Sequence, residues 1–218
     1  MRRHIVCFGD SNTHGYCADP ADCEDGGTRF SERERWTCLL QQKLGPDFLV
    51  LEEGLPGRTC VYDDPTEEGM RGLDYIVPCL MSHQPVDLLA VMLGTNDARA
   101  CYGASPEQIT RGMERLVRRA QAAPCWGAPG ANILLIPPDP LPEAAERCAV
   151  SGPIMGPGCA EKTRALPELY RQAARRLGCA CFDPTGLVEY NQVDYMHLTR
   201  ADHARLARAL ESEITRLV

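Results

Sequence analysis

The sequence lacks the features that mark several common classes of protein. It has no apolar stretch near the length of a membrane span, and the apolar run at residues 5–8 is too short for the core of a signal peptide. Its net charge is −7, and it has no cluster of basic residues. Both observations argue against a nucleic-acid partner and against binding to an anionic membrane. We therefore expect a cytoplasmic protein without nucleic-acid or membrane partners.

The cysteine spacing typical of zinc and redox sites is also absent. Twelve cysteines occur, but no two of them form a Cys-x-x-Cys motif. Because nothing points to secretion, we interpret the cysteines as reduced thiols that pack as small hydrophobic side chains.

The composition of the sequence and the alternation of its apolar and amphipathic segments are those of a folded α/β protein. Its 218 residues are 44% hydrophobic and 24% charged, which is ordinary for one globular domain. Short apolar runs alternate with longer amphipathic ones, a pattern that predicts a parallel sheet covered by helices. The predicted strands are residues 4–8, 48–52, 87–93, 132–136 and 179–183, and the predicted helices are residues 33–44, 72–83, 106–122, 160–177 and 201–217. With no repeat and no linker, we expect a single domain over residues 1–218.

Two further local patterns refine this outline. Ser105 and Gln108 have the spacing of a capping box at the start of the third predicted helix. The stretches 54–70 and 137–159 are rich in glycine and proline and longer than ordinary connections, so we expect functional or interface loops there.

Polar residues follow the predicted strands, at the edge where open parallel sheets bind ligands. The first strand is followed by GDSN at residues 9–12 and the second by EGLPGR at 53–58. The third is followed by GTND at 94–97, and the fifth, after a short excursion, by DYMH at 194–197. We expect these four segments to lie close together.

The four segments contain the parts of an acyl-transfer site. Ser11 is a weak nucleophile unless a base lies beside it, and His197 is a candidate base. Asp194, three residues earlier, is a candidate for orienting the imidazole. We expect the donors for a developing oxyanion to be the Ser11 N–H, the Gly57 N–H and the Asn96 side-chain amide. Each segment alone also fits an ordinary turn, helix start or capped helix end, so the interpretation depends on their joint occurrence.

The same segments resemble the serine, glycine, asparagine and histidine blocks of the SGNH hydrolases, the GDSL esterase/lipase superfamily. GDSN, GTND and DYMH match three of the blocks. Gly54 and Gly57 both lie in the glycine block, where alignment of EEGLPGRT on its strand favours Gly57. The strings CFGDSNTHG, RWTCLLQQKLG, VMLGTND and VDYMHLT are similar to the bacterial arylesterase/acyltransferase branch typified by the mycobacterial acyltransferase. The resemblance covers essentially the whole chain.

This resemblance implies an α/β fold, a flavodoxin-like three-layer α/β/α sandwich with a five-stranded parallel sheet. It implies a serine esterase that hydrolyses small acyl (acetyl-type) esters through Ser11, His197 and Asp194, with Ser11, Gly57 and Asn96 as the oxyanion hole. It also implies that no metal and no cofactor takes part, that acyl transfer to alcohols accompanies hydrolysis, and that the chain forms a homo-oligomer. Two alternatives stay open, a non-catalytic flavodoxin-like binding module and an enzyme acting mainly as an acyltransferase.

Five residues are candidates for the substrate pocket, namely Asp10, Asn12, His14, Tyr16 and Thr95. Asp10 is expected to brace the turn around Ser11 through hydrogen bonds from backbone N–H groups. Asn12 stands where the superfamily name has leucine. His14 and Tyr16 fall where the acyltransferase branch carries tryptophans, which predicts a more polar pocket mouth here.

A few other polar residues have less specific surroundings. Arg58, Asp63 and Asp64 fit a pocket wall, a subunit contact or a solvated loop. His203 is expected on the surface of the last helix.

Overall fold

The computed structural model describes residues 2–150 and 154–218. Within these residues one parallel sheet contains strands β1 (Arg3–Gly9), β2 (Phe48–Gly54), β3 (Leu88–Met92), β4 (Ile133–Ile136) and β5 (Ala180–Cys181). The strand order is β2-β1-β3-β4-β5, the flavodoxin-like order, which confirms the predicted fold class. Residues 151–153, which belong to the predicted loop 137–159, lie outside the described residues.

Helices cover both faces of this sheet. Helices α2 (Trp36–Leu44) and α6 (Arg200–Leu217) pack against one face, and α3 (Gly72–Ser82), α4 (Pro106–Gln121) and α5 (Cys159–Leu177) pack against the other. None of the helices in the described ranges is long and apolar enough to cross a membrane.

Strand β1 lies inside the sheet, and its successive side chains enter two separate cores. Ile5 and Cys7 pack with α2 and α6, whereas Val6 and Phe8 pack with α3, α4 and α5. All four residues are fully buried. Strand β2 is half-buried along its whole length because it is an edge strand that pairs with β1 alone. The result is the expected three-layer sandwich.

Most predicted element bounds agree with the structure within one or two residues, and three larger differences stand out. Helix α2 begins at Trp36 instead of residue 33, because residues 32–35 form a turn. The last strand shrinks to two residues, Ala180 and Cys181, which pair with β4 alone at the edge of the sheet. A four-residue helix, α1 (Ser11–His14), follows β1 directly and is too short to show a helical period in the sequence.

Candidate active site

The turn after β1 is built by small and polar side chains. Asp10 is the N-cap of α1, and its Oδ1 accepts a hydrogen bond from the Asn12 N–H at 3.0 Å. Gly9 allows the close approach, because a Cβ there would lie 2.0 Å from Thr13 Oγ1 and 2.8 Å from the Met92 carbonyl oxygen. Helix α1 therefore begins immediately beyond the strand, with Ser11 as its first residue.

Ser11, His197 and Asp194 form one hydrogen-bonded series. His197 Nε2 lies 2.7 Å from Ser11 Oγ, and His197 Nδ1 lies 2.5 Å from Asp194 Oδ2. Ser11 is 8% exposed, His197 4% and Asp194 0%. The structure thus brings together, across 186 positions of sequence, the three residues that the sequence predicts as nucleophile, base and orienting acid.

The loop that carries Asp194 and His197 is held by Asn191, which the sequence does not single out. The Asn191 side-chain amide donates to Asp194 Oδ1 (2.8 Å) and to the His197 carbonyl oxygen (2.8 Å). Asp194 Oδ1 also accepts the backbone N–H groups of Met196 (3.1 Å) and His197 (3.2 Å). Tyr195, which lies between Asp194 and Met196, has a left-handed φ of 63°, an uncommon conformation for a residue with a side chain. These contacts fix the imidazole toward Ser11.

Two of the predicted oxyanion donors belong to the loops that follow β2 and β3. Gly57 and Asn96 line the same cavity as Ser11 and His197, and Gly57 has a φ of 83°, which favours glycine. The Asn96 amide donates to the Arg58 carbonyl oxygen at 3.1 Å, which orients its side chain. Gly54 belongs to β2 and packs on α1, where a Cβ would lie 2.1 Å from the His14 nitrogen. Of the two glycines in this block, Gly57 is the one on the cavity wall.

Two buried charged residues hold the loop that contains Gly57. Arg58 is 4% exposed, and its guanidinium donates to the carbonyl oxygens of Gly9 (3.0 Å) and Glu53. Asp97, fully buried, accepts the Cys60 N–H with both carboxylate oxygens (2.8 and 3.1 Å). Both follow a predicted donor in sequence, but only the fold shows that their side chains turn inward to brace the loop.

Burial changes the acidity of the carboxyl groups beneath this site. Burial raises the pKa of Asp97 to about 7, against the opposing effect of the hydrogen bonds from Cys60. Burial also raises the pKa of Asp10 to about 6, while the Asn12 N–H and the charges of His197 and Arg58 act in the opposite direction.

The cavity beside Ser11 has a volume of about 170 Å³ and both apolar and polar walls. The ring centroids of Tyr16 and His197 lie 4.6 Å apart, and both Tyr16 and Thr95 line the cavity. On the polar side Arg99 donates to Asp64 Oδ2 at 3.0 Å. Asp64, left open by the sequence, thus belongs to the pocket wall, whereas Asp63 is largely exposed and pairs with Arg71 on the surface.

Three of the five pocket candidates do not line this cavity. Asp10 and Asn12 are buried beneath it, and His14 lies on the far side of α1 against Gly54. The Asn12 amide is engaged with the loop around His197 instead: it donates to the Met196 carbonyl oxygen (3.1 Å) and accepts the Leu198 N–H (3.0 Å). These three residues contribute nothing to the wall of the cavity beside Ser11, because α1 sets the direction of their side chains and the sequence pattern does not indicate this helix.

The expected position of His203 is also wrong. Its side chain is fully buried, accepts the Trp36 N–H at 3.2 Å and meets the Phe30 ring edge-on at 4.8 Å. Burial lowers the pKa of His203 to about 3, so the imidazole is neutral. It lies on the core-facing side of α6, packed against the start of α2.

Comparisons with known proteins identify the family of this chain. The sequence model of the GDSL-like lipase/acylhydrolase family matches residues 7–205. The solved structure of the native aryl esterase from M. smegmatis is 34% identical, with a TM-score of 0.86 over 99% of this chain and 100% of that chain. A carbohydrate acetylesterase from Sinorhizobium meliloti is 29% identical, with a TM-score of 0.87 over the full length of both chains.

A second structure from Sinorhizobium meliloti, a carbohydrate acetylesterase family member, is 32% identical, with a TM-score of 0.87 over 99% of this chain and 98% of that chain. No curated protein sequence matches the chain. The family match spans most of the chain, and the structural likeness extends over essentially its whole length. The chain belongs to the GDSL-like lipase/acylhydrolase family and is a carboxylic ester hydrolase.

Proposed function

We propose that the chain hydrolyses short-acyl esters with Ser11 as nucleophile, His197 as general base and Asp194 as the acid that orients the imidazole. The observation that carries this proposal is the buried series from Ser11 Oγ through both His197 ring nitrogens to Asp194 Oδ2. Both distances are within the reach that proton transfer needs. Asp194 holds the Nδ1–H tautomer, which leaves Nε2 free to accept the serine proton.

The reaction divides into two acyl transfers. Ser11 Oγ attacks the ester carbonyl while His197 Nε2 takes its proton, and the oxyanion that forms is stabilised by the Ser11 N–H, the Gly57 N–H and the Asn96 amide. His197 then returns the proton to the leaving alcohol as the carbon–oxygen bond breaks. A water molecule, deprotonated by His197, then attacks the acyl-enzyme. The bond from the acyl carbon to Ser11 Oγ breaks, His197 gives the proton to Ser11 Oγ, and the acid leaves.

The cavity supports a small substrate. Its volume of about 170 Å³ is below the range of roughly 300–1,000 Å³ common for ligand pockets. Met70, Met155 and Met196 provide apolar surface for a short acyl group, and Asp64 and Arg99 provide polar groups for the alcohol part. With relatives described as an aryl esterase and carbohydrate acetylesterases, we infer acetyl esters of aromatic or sugar alcohols as the substrate class.

The test is the hydrolysis of p-nitrophenyl acetate by single variants. Ser11→Ala and His197→Ala are each expected to lower kcat by at least about 10³-fold, since the first removes the attacking group and the second removes its base. Ser212→Ala, an exposed serine on α6, is the matched control and retains wild-type kcat. Full activity in Ser11→Ala would overturn the proposal.

We infer acyl transfer to an alcohol as a second candidate activity. Pro56 and Met155 give the cavity apolar surface beside which an alcohol can compete with water for the acyl-enzyme. The ratio of transfer product to free acid, measured with a short alcohol in water, decides between the activities. Acyl transfer is supported if the ratio of transfer product to free acid rises with alcohol concentration while the total rate of ester turnover stays constant. It is contradicted if that ratio stays near zero at all alcohol concentrations.

A further inference from the structure

Three metal-ligating side chains meet at a place that the esterase mechanism does not use. Glu53 stands near the end of β2, Cys79 lies in the last turns of α3, and His83 is the residue that caps α3. One ligand atom from each lies within 4.8 Å of the other two, and His83 Nε2 is 2.6 Å from Glu53 Oε1. None of the three lines the cavity beside Ser11.

The secondary structure gives this cluster the form of a chelate. Cys79 and His83 are four residues apart at the end of one helix, the spacing that places two ligands on the same face. Carboxylate, thiolate and imidazole are the three ligand types that zinc accepts in proteins. Metal–ligand bonds of about 2.0–2.3 Å place ligand atoms roughly 3.3–3.8 Å apart in a tetrahedron. Reaching that geometry requires the Glu53–His83 pair, now 2.6 Å apart, to open by roughly an ångström.

Neighbouring groups hold the ligands as outer-sphere partners do in metal sites. The Tyr75 hydroxyl donates to Glu53 Oε2 at 3.1 Å, which orients the carboxylate and leaves Oε1 toward His83. His4 Nδ1 lies 2.9 Å from the His83 carbonyl oxygen and ties the end of α3 to the first strand. The Glu53 carboxylate and the backbone at His83 are therefore already held in place.

Access and charge also suit a divalent ion. Cys79 is fully buried, but the His83 and Glu53 side chains are 24% and 17% exposed, so the cluster opens to solvent on their side. The Arg58 guanidinium lies over the Phe8 and Tyr75 rings close by. A Glu53 carboxylate and a Cys79 thiolate together neutralise a divalent ion, so Arg58 faces an uncharged centre instead of a second cation.

We propose that Glu53, Cys79 and His83 form a binding site for a zinc-like divalent ion, with water in the fourth position. The ion replaces the direct Glu53–His83 hydrogen bond and links the end of α3 to the end of β2. It takes no part in ester hydrolysis, because the site is separate from the cavity and touches neither Ser11 nor the oxyanion donors. The alternative is that the same residues are only a His–Glu ion pair above a buried thiol.

Cobalt(II) is the probe that separates these two alternatives. Full-length protein is stripped with a chelator, freed of it and titrated with Co²⁺ alone. The proposal predicts a saturable sulfur-to-cobalt charge-transfer band with the visible bands of a tetrahedral centre, complete at one equivalent per chain and abolished by added Zn²⁺. A wild-type protein that shows no charge-transfer band at one equivalent overturns the site.

Matched cysteine variants show whether the band belongs to this cluster. Cys79→Ser and His83→Gln are expected to lose stoichiometric cobalt binding, whereas Cys101→Ser, which removes an exposed thiol elsewhere, keeps it. Circular dichroism and hydrolysis of p-nitrophenyl acetate on the same samples establish that each variant is folded. His83→Gln changes only a partly exposed side chain, so it tests the site even where loss of the buried thiol disturbs packing. A band that persists in folded Cys79→Ser, or disappears in Cys101→Ser, contradicts the assignment.

Discussion

At the scale of single residues, Asn12 connects the two ends of the chain at the active site. Its side-chain amide hydrogen-bonds to Met196 and Leu198, the residues on either side of His197. Its backbone carbonyl oxygen accepts the Trp36 indole N–H at 3.1 Å. A leucine at this position could make neither of the two amide contacts. Asn12 therefore positions the base, although it sits next to the nucleophile.

We expect Asn12→Ala to lower kcat by roughly 10- to 100-fold with a smaller change in KM, because His197 loses its alignment with Ser11 while the cavity walls stay in place. The measurement is steady-state hydrolysis of p-nitrophenyl acetate. Thr13→Ala is the control, since the Thr13 hydroxyl has no hydrogen-bond partner among the described residues. An Asn12→Ala enzyme with wild-type kcat would show that the loop around His197 holds its own position.

The sequence makes Ser11, Gly57, Asn96, Asp194 and His197 predictable as neighbours, because each is a distinctive residue type in a segment that follows a predicted strand, directly or after a short excursion. Their meeting follows from the topology of a parallel sheet. The direction of a side chain is harder to infer, as Asn12 shows: its position next to Ser11 suggests a pocket role, and its contacts lie underneath. Asn191 escapes prediction for a similar reason, since one asparagine in a polar loop has no pattern of its own.

At the scale of elements, the start of α4 illustrates a local pattern that the sequence shows fully. Ser105 Oγ accepts the Gln108 N–H at 3.3 Å, and Gln108 Oε1 accepts the Ser105 N–H at 2.8 Å, so the predicted capping box is confirmed. Such motifs are predictable because all their partners lie within four residues.

Ser105→Ala is expected to lower the free energy of unfolding by about 1 kcal/mol, because one N–H of the first turn loses its acceptor. Urea unfolding measures this as a fall in the midpoint with an unchanged slope. Since α4 contributes no residue to the cavity, kcat should stay at the wild-type value. A variant with the wild-type midpoint would show that the cap does not stabilise the helix.

Elements without a repeating pattern are the ones that the sequence misplaces. Helix α1 has four residues, and β5 has two with a partner on only one side. Neither is long enough for a hydrophobic period to appear. Both depend on contacts made after the sheet has formed, which is why long amphipathic helices such as α4 and α6 are predicted well and these are not.

At the scale of the whole molecule, His203 couples folding to pH. Its folded pKa of about 3 lies below the value near 6.5 of an unfolded histidine, so the unfolded chain takes up a proton that the folded chain refuses. This contribution to stability is present above pH 6.5 and is lost as the pH falls toward 3.

We expect wild-type protein to lose on the order of 2 kcal/mol more stability than His203→Asn between pH 7 and pH 5. Asparagine can offer an oxygen to the Trp36 N–H and does not titrate, so its packing cost is the same at both pH values. Urea unfolding of both proteins across this range gives the difference. Parallel pH profiles would contradict a neutral, buried His203.

The arrangement of the cavity is also a property of the whole chain. Its walls combine α1 and the segment after it, the loops after β2 and β3, the segment before α5 and the loop before α6, so its size follows from the packing of parts distant in sequence. The homo-oligomer expected from sequence stays a prediction, which analytical ultracentrifugation of the purified protein tests.

The most direct test of the account is covalent labelling of the wild-type protein with a fluorophosphonate, followed by mass spectrometry of its peptides. The proposed nucleophile predicts one adduct per chain on Ser11, and much slower labelling of His197→Ala because the serine then has no base. Two results would contradict the central claim. One is an active wild-type protein that carries its label on a residue other than Ser11. The other is a Ser11→Ala variant that is labelled as well as the wild-type protein.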